Sequence, residues 1–259
     1  MPSNSPSSWA GDDRVYRQER SYRRWLESDL TSFQVTVGES DLHISAERPL
    51  AEEAERALTQ VREELEEYLE RDPKFRTALT PHALLPDAPP IAVEMAEAAR
   101  ACGVGPMAAV AGAVAEHVGK ALLTESAQVI VENGGDIFLF TTRPRVAGVF
   151  AGSSPLTGRL GIRLARIGEP LGLCTSSGTV GPSLSFGRAD AAIVLASSAA
   201  LADAAATALG NRIHTADDIE RGLAFVRYIP GVLGAMAIVG ESLGAWGEME
   251  LVRVEGSDG

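Results

Sequence analysis

The chain has little cysteine, no excess of positive charge and no long uninterrupted apolar run, and each shortage excludes something. Cys102 and Cys174 are its only cysteines. They lie far apart without CxxC spacing, which excludes a cysteine zinc site and a disulfide framework. Their small or apolar neighbours mark both as small buried hydrophobes. Lysine and arginine number 23 against 35 aspartates and glutamates, a formal net charge of −12. That balance argues against binding a nucleic-acid backbone, which needs a clustered basic surface. It leaves room for a nucleotide cofactor, because a small phosphate site can be built from backbone amides and a metal ion. No run of roughly 18 apolar residues, the length a membrane span requires, is uncharged. Pro106 to Leu123 comes closest, and Glu116, His117 and Lys120 interrupt it. Met1 to Trp9 lacks the basic and apolar regions of a signal peptide. The expectation is a cytoplasmic protein with no membrane span.

What is present is an ordinary globular composition, 45% hydrophobic and 22% charged over 259 residues, enough to bury a substantial core. Residues 1–14 are rich in Ser, Pro and Asn and read as a disordered tail, leaving 15–259 as one domain. Tyr16 to Leu26 reads as an ordered arm. Phe33 to Val37 and Leu42 to Ile44 alternate apolar and polar residues around Gly38–Asp41 and predict a hairpin, with His43 on its polar phase. Ala54, Leu58, Val61, Leu65 and Leu69 form the apolar stripe of a helix from Leu50 to Leu69. The proline-rich segment Asp72 to Pro90, which carries His82, predicts a crossing loop.

Helices are predicted over Ile91–Ala101 and from Pro106 to Leu123, the second with Ala108, Gly112, Ala115 and Gly119 along one face. Gly103 and Gly105 follow a helix rather than a strand, which rejects a dinucleotide-binding fingerprint. Strands are predicted at Ala127–Val131, Ile137–Phe140, Arg145–Gly152, Leu160–Ala165, Leu171–Thr175 and Ala191–Ala196. A helical piece at Ala216–Arg221 and β-runs near Phe225, at Ala235–Val239 and at Met249–Val254 complete the chain. Strands and helices do not alternate regularly, so the fold class is α+β, with mixed or antiparallel sheets packed against helices.

Three features carry chemistry. Asp203 and Thr207 stand four apart on an alanine-rich helix, so their oxygens share one face. A hard cation such as magnesium takes oxygen ligands of this kind, often one or two carboxylates plus substrate phosphates. The same spacing is common on solvated helices, with the hydroxyl bonded back to an earlier carbonyl, and leaves both readings open. In Glu132-Asn133-Gly134-Gly135-Asp136, carboxylates flank a bend whose glycines accept positive φ. Cys174-Thr175-Ser176-Ser177-Gly178 opens a second bend, rich in hydroxyls, whose N–H groups suit phosphate oxygens.

Three strings resemble the ApbE family of FAD:protein FMN transferases: Glu132–Ile137, Thr175–Gly178 and Ala202-Asp203-Ala-Ala-Ala-Thr207-Ala-Leu209. They occur in the family's order, and the similarity runs from about Leu42 to Leu209. With Val104 to Glu116 in the middle, the chain resembles a shorter, largely uncharacterised branch more closely still. The resemblance implies a T-fold-like α+β architecture and magnesium-dependent binding of FAD, whose pyrophosphate is cleaved so that FMN passes to a protein threonine. It implies Asp203 and Thr207 as metal ligands, with a backbone carbonyl at or near Ala111 as the third. It also implies Asn133, Gly134, Gly135 and Asp136 as the lining of the flavin pocket, bordered by Thr175, Ser176, Ser177 and Gly178. The implied partners are a flavin nucleotide, a protein acceptor and a second copy in a homodimer.

One departure bears on activity. The transferases carry His-x-x-Asp-Pro-x-Thr-Gly between the second bend and the metal helix. Here the interval is Thr179 to Asp190, shorter and without histidine, and His214 follows the helix. The sequence leaves three readings: a magnesium-dependent enzyme acting on FAD, a flavin-binding or assembly protein without transfer chemistry, and a ligand-free structural homo-oligomer. The missing segment favours the second over the first, and the Asp203/Thr207 pair disfavours the third.

Overall fold

The computed structural model describes residues 29–178 and 187–254. The tail at 1–14, the arm at Tyr16–Leu26 and residues 179–186 of the histidine-free interval lie outside them. Eight strands, all paired antiparallel, form one sheet in the order β1-β2-β3-β4-β7-β8-β9-β10. They are β1 (Thr31–Val37), β2 (Ser40–Ala46), β3 (Val129–Asn133), β4 (Asp136–Phe140), β7 (Leu171–Ser176), β8 (Ala191–Ala196), β9 (Val232–Val239) and β10 (Ser242–Gly247). A smaller antiparallel sheet holds β5 (Arg145–Gly148), β6 (Leu160–Leu164) and β11 (Glu250–Arg253) in the order β11-β6-β5. The helices are α1 (Ala51–Arg71), α2 (Pro73–Thr77), α3 (Pro90–Cys102), α4 (Val110–Leu122), α5 (Ala199–Gly210) and α6 (Ile219–Val226).

Alternation along the strands explains the layering, since successive side chains point to opposite faces. Ala192, Val194 and Ala196 of β8 join the core shared with the helices, whereas Ala191, Ile193 and Leu195 join the one shared with the small sheet. The same split separates Val129 and Val131 from Ile130, and Ala235 and Ala237 from Met236 and Ile238. A strand covered on both faces needs apolar residues at every position, hence the unbroken run in β8.

The helix face of this sheet is lined with small residues where α5 crosses it, and α5 is itself mostly alanine. A methyl group at Gly172 would lie 2.4 Å from both the Cα of Ala199 and the carbonyl oxygen of Ser198. The small-residue stripe of α4 serves two neighbours. Gly112 meets α5, and Gly119 lies under the ring of Phe138. α3 and the Pro106–Leu122 segment meet at a 102° bend, and among the described residues no single helix is long and apolar enough to cross a membrane.

Several expectations change. The proline-rich segment holds the short helix α2, whose N-terminus is capped by Asp72. The helix expected from Pro106 starts as a 3-10 turn over Pro106–Ala109 and becomes α-helical at Val110. The β-run expected near Phe225 is α6: Thr215 and Asp218 form a capping box ahead of it, and Ile219, Leu223 and Val226 share its buried face. The strand from Arg145 stops at Gly148. β10 was not expected, because its two glycines and half-exposed edge position blur the alternation.

The close fit between α5 and the sheet yields a prediction. Gly172→Ala forces backbone apart rather than a side chain aside, and should cost about 1–3 kcal/mol of stability. Leu251→Ala, at a 36% exposed position, should stay within about 0.5 kcal/mol of wild type. Urea unfolding of both variants checks the difference.

Candidate functional site

The β3–β4 connection is the tightest local element of the site. Asn133 pairs with Asp136, and Gly134 and Gly135 between them have φ of +65° and +110°. Positive φ at both central residues is what a type I′ hairpin turn demands, and glycine supplies it without strain. No heavy atom lies within 4 Å of where a Cβ would stand on either glycine, so the turn faces open space. It leaves Asn133 and Asp136 at its base, the first half-buried and the second buried.

Each then reaches another element. Asn133 donates from Nδ2 to the carbonyl oxygen of Ala111 at 3.1 Å. Asp136 accepts at Oδ1 from the backbone N–H of Thr175 at 3.3 Å. Thr175 and Ser176 close β7. The N–H of Thr175 is thus engaged by Asp136, and that of Gly178 is donated to the carbonyl of Ala189 at 3.0 Å. Ser176 adjoins the C-terminal end of α5, its Oγ lying 3.3 Å from where a Cβ of Gly210 would stand.

Asp203 meets the start of α4. That helix has no side-chain cap of its own; the preceding 3-10 turn takes the N–H of Val110 at the Met107 carbonyl, and the N–H groups of the next residues face Asp203. The Asp203 carboxylate fills the gap, accepting from the N–H of Gly112 at 3.0 Å, with the N–H of Ala111 contributing as well. Gly112 permits the approach, because a methyl there would lie 2.2 Å from the carbonyl oxygen of Ala199 and 2.9 Å from Cβ of Asp203. Thr207 follows one turn later on the same face, and both side chains are half-buried rather than fully solvated.

Asp136 and Asp203, distant in sequence, sense each other's charge. Burial pushes the Asp203 carboxyl well above the usual carboxylate range, the Asp136 charge adds to this, and the N–H groups of Gly112 and Ala111 oppose it. Burial likewise pushes Asp136 up to about 7; hydrogen bonds from the Cys174 thiol and the Thr175 N–H oppose this, and the Glu132 charge adds to it. One buried and one half-buried carboxylate that repel each other, set beside a helix start and a backbone carbonyl, offer hard oxygen donors of the kind a divalent cation takes.

The structure therefore brings Asn133, Asp136, Asp203 and Ala111 into one neighbourhood, with Thr175 joined through Asp136. Ser177 and Gly178 continue past the end of β7, where a methyl on Gly178 would lie 2.2 Å from the carbonyl oxygen of Gly187. Sequence reasoning named three further residues without giving any of them a role of its own in the site. Cys174 is more than an inert filler, since its thiol also lies 3.4 Å from the carbonyl oxygen of Ala199. Glu132 is a buried carboxylate on β3. Glu116 is buried and bonded to the first turn of α5. For Glu116 a signal existed: a lone acid inside an apolar helical face with Lys120 four residues on.

The Asp136 shift predicts how stability varies with pH in metal-free protein. Its folded value of about 7 exceeds an unfolded value near 3.9, so the folded state holds the extra proton between them. Stability then falls as pH rises from about 4 to about 7 and levels off above. Asp136→Asn, which keeps an acceptor for Thr175, should be the more stable protein at pH 8, by at most about 4 kcal/mol. The gain should vanish near pH 4, as read from urea midpoints in the presence of a chelator.

Comparison with known proteins agrees with this architecture. The family described as "AbpE bacteria" matches residues 23–239. A UPF0280 protein of Methanocella arvoryzae is 41% identical over 219 residues, covering 84% of this chain and 89% of its own. Another from Methanosphaerula palustris is 44% identical over 212 residues, covering 80% and 86%. Among solved structures, a histidine-to-glycine mutant of the flavin transferase ApbE from Vibrio cholerae matches with a TM-score of 0.56 at 11% identity, over 85% of this chain and 98% of that one. The apo flavinyl transferase ApbE of Pseudomonas stutzeri matches with a TM-score of 0.55 at 14% identity, over 85% and 94%. At those identities the solved structures speak to the fold alone. By the extent of the family match and of its UPF0280 relatives, this chain belongs to the AbpE bacteria family and has the α+β architecture of the ApbE flavin transferases.

Proposed function

We propose that this protein binds a flavin nucleotide, FAD, together with a divalent cation, magnesium, where α5 meets the start of α4 and the β3–β4 turn. The observation that carries the reading is the convergence of buried Asp136 and half-buried Asp203, which repel each other, with the Ala111 carbonyl and the start of α4. Asp203 and Thr207 would hold the cation, and the carbonyl of Ala111, oriented by the Asn133 amide, is the third donor. Asn133, Gly134, Gly135 and Asp136 would line the flavin side, where the glycine turn leaves open space. Thr175, Ser176, Ser177 and Gly178 would border it. When bound, the cation neutralises charge on the pyrophosphate and orients in-line displacement at phosphorus. The chain's own part is to keep Asp203 fixed by backbone N–H donors and half-buried, where charge interactions are stronger than in water.

Displacement would form a bond from the FMN phosphorus to an incoming hydroxyl oxygen and break the bond to AMP, the hydroxyl proton being released. The hydroxyl belongs to a protein threonine in transfer or to water in hydrolysis. A second reading, retention of FAD without turnover, is favoured by the histidine-free interval Thr179–Asp190. His82 and His117, elsewhere in the fold, are committed to Asp72 and Glu94. A protein acceptor, homodimerisation, a cytoplasmic setting and a single domain over 15–259 belong to the same proposal.

Flavin uptake tests it. The protein should take up FAD, seen in its visible absorbance, only when magnesium is supplied. Asp203→Ala should weaken that uptake by at least about a hundredfold, because losing a direct ligand costs no less than losing a partner behind one. AMP release from FAD supports turnover, and uptake without AMP supports the binding reading. Equal uptake with magnesium and with a chelator contradicts the proposal.

A further inference from the structure

We propose that Glu116 is the positioning residue of the cation face: its carboxylate holds the first turn of α5 and so sets Asp203 against Ala111 and Gly112. The link to a cation rests on the function proposed above, whereas the positioning itself does not. Glu116 is 3% exposed, in the middle of an apolar helix. A buried carboxylate persists only where partners compensate for lost water. Its Oε2 accepts from the N–H of Ala199 at 2.6 Å and of Ala200 at 3.3 Å. Its Oε1 pairs with Lys120 Nζ at 2.9 Å. Lys120 in turn lies 3.5 Å from Glu94, which binds His117 Nε2 at 3.0 Å. Ser198 covers the next N–H of α5, that of Leu201, at 3.2 Å.

The arrangement is reciprocal. A carboxylate of α4 satisfies the start of α5, and a carboxylate of α5 satisfies the start of α4. On α4 the contact points are Gly112 and Glu116; on α5 they are Asp203 and Ala199. Residues four apart share a helix face, so the two contacts lie side by side, about 6 Å apart along each axis. One such contact leaves the helices able to rotate about it. Two fix both the slide and the rotation, and with them the direction in which Asp203 presents its oxygens. Ser198, by contrast, caps its own helix and makes no contribution to the α4–α5 register.

Amide exchange at Gly112, followed by NMR in metal-free protein, tests the positioning directly. Glu116→Ala should speed exchange of the Gly112 N–H by about tenfold or more beyond Ser198→Ala, which removes a cap of comparable worth. Glu116→Gln keeps an acceptor oxygen and should fall between wild type and Glu116→Ala. If Glu116→Ala does not fold, Glu116→Gln against Ser198→Ala decides. Exchange at Gly112 no faster in the Glu116 variants than in Ser198→Ala overturns the proposal. With FAD present, the magnesium concentration that half-quenches its fluorescence should rise about tenfold in Glu116→Gln and stay near wild type in Ser198→Ala. Absence of quenching in wild type would remove the flavin reading, and the exchange comparison would still decide the role of Glu116.

Discussion

The candidate site depends on how closely α5 lies against α4 and β7. Glycine at 112 and 172 lets backbone meet backbone, and the alanines of α5 add no bulk to hold it off. Only at that spacing does an aspartate, with its short side chain, reach the amides at the start of another helix. Dispersion and burial set the distance, and hydrogen bonds at the helix starts then set the orientation. A larger residue at either glycine would move Asp203 away from Gly112 and Ala111 and dissolve the donor set without touching any of its members.

That closeness has an electrostatic consequence. Asp136 arrives from a hairpin turn and Asp203 from a helix, and both carboxyls are raised by burial. Backbone N–H groups from Thr175, Gly112 and Ala111 offset part of the penalty. A folded protein keeps such an unfavourable pair where the charges are used, which makes perturbed carboxylates informative about function. The helix start beside Asp203 supplies two of those N–H groups, and its partial positive charge favours the ionised carboxylate.

The sequence made local elements readable where one physical signal dominated. β8 was visible as a buried strand because every residue from Ala191 to Ala196 is apolar, and the β3–β4 turn because Asn-Gly-Gly is its own geometric signature. The shared face of Asp203 and Thr207 followed from helical spacing. Its partners did not, because Gly112 lies 91 residues away and nothing local announces that contact. Nor did the strand order, in which β4 pairs with β7 while β5 and β6 leave for the small sheet. Glu116 was legible only as a break in an apolar run; its purpose required knowing which helix start it faces. β10 and α6 were missed or misread because glycine and a lone aromatic gave weak or conflicting periodicity.

The central claim is that the Asp203 face, held by the start of α4, is a divalent-cation site. Electron paramagnetic resonance of Mn2+ titrated into the protein measures this most directly, since free and bound ion give distinct signals. The account predicts saturable binding of one Mn2+ per chain in the presence of FAD, lost in Asp203→Asn and displaced by magnesium. Binding of equal strength in wild type and Asp203→Asn would contradict it.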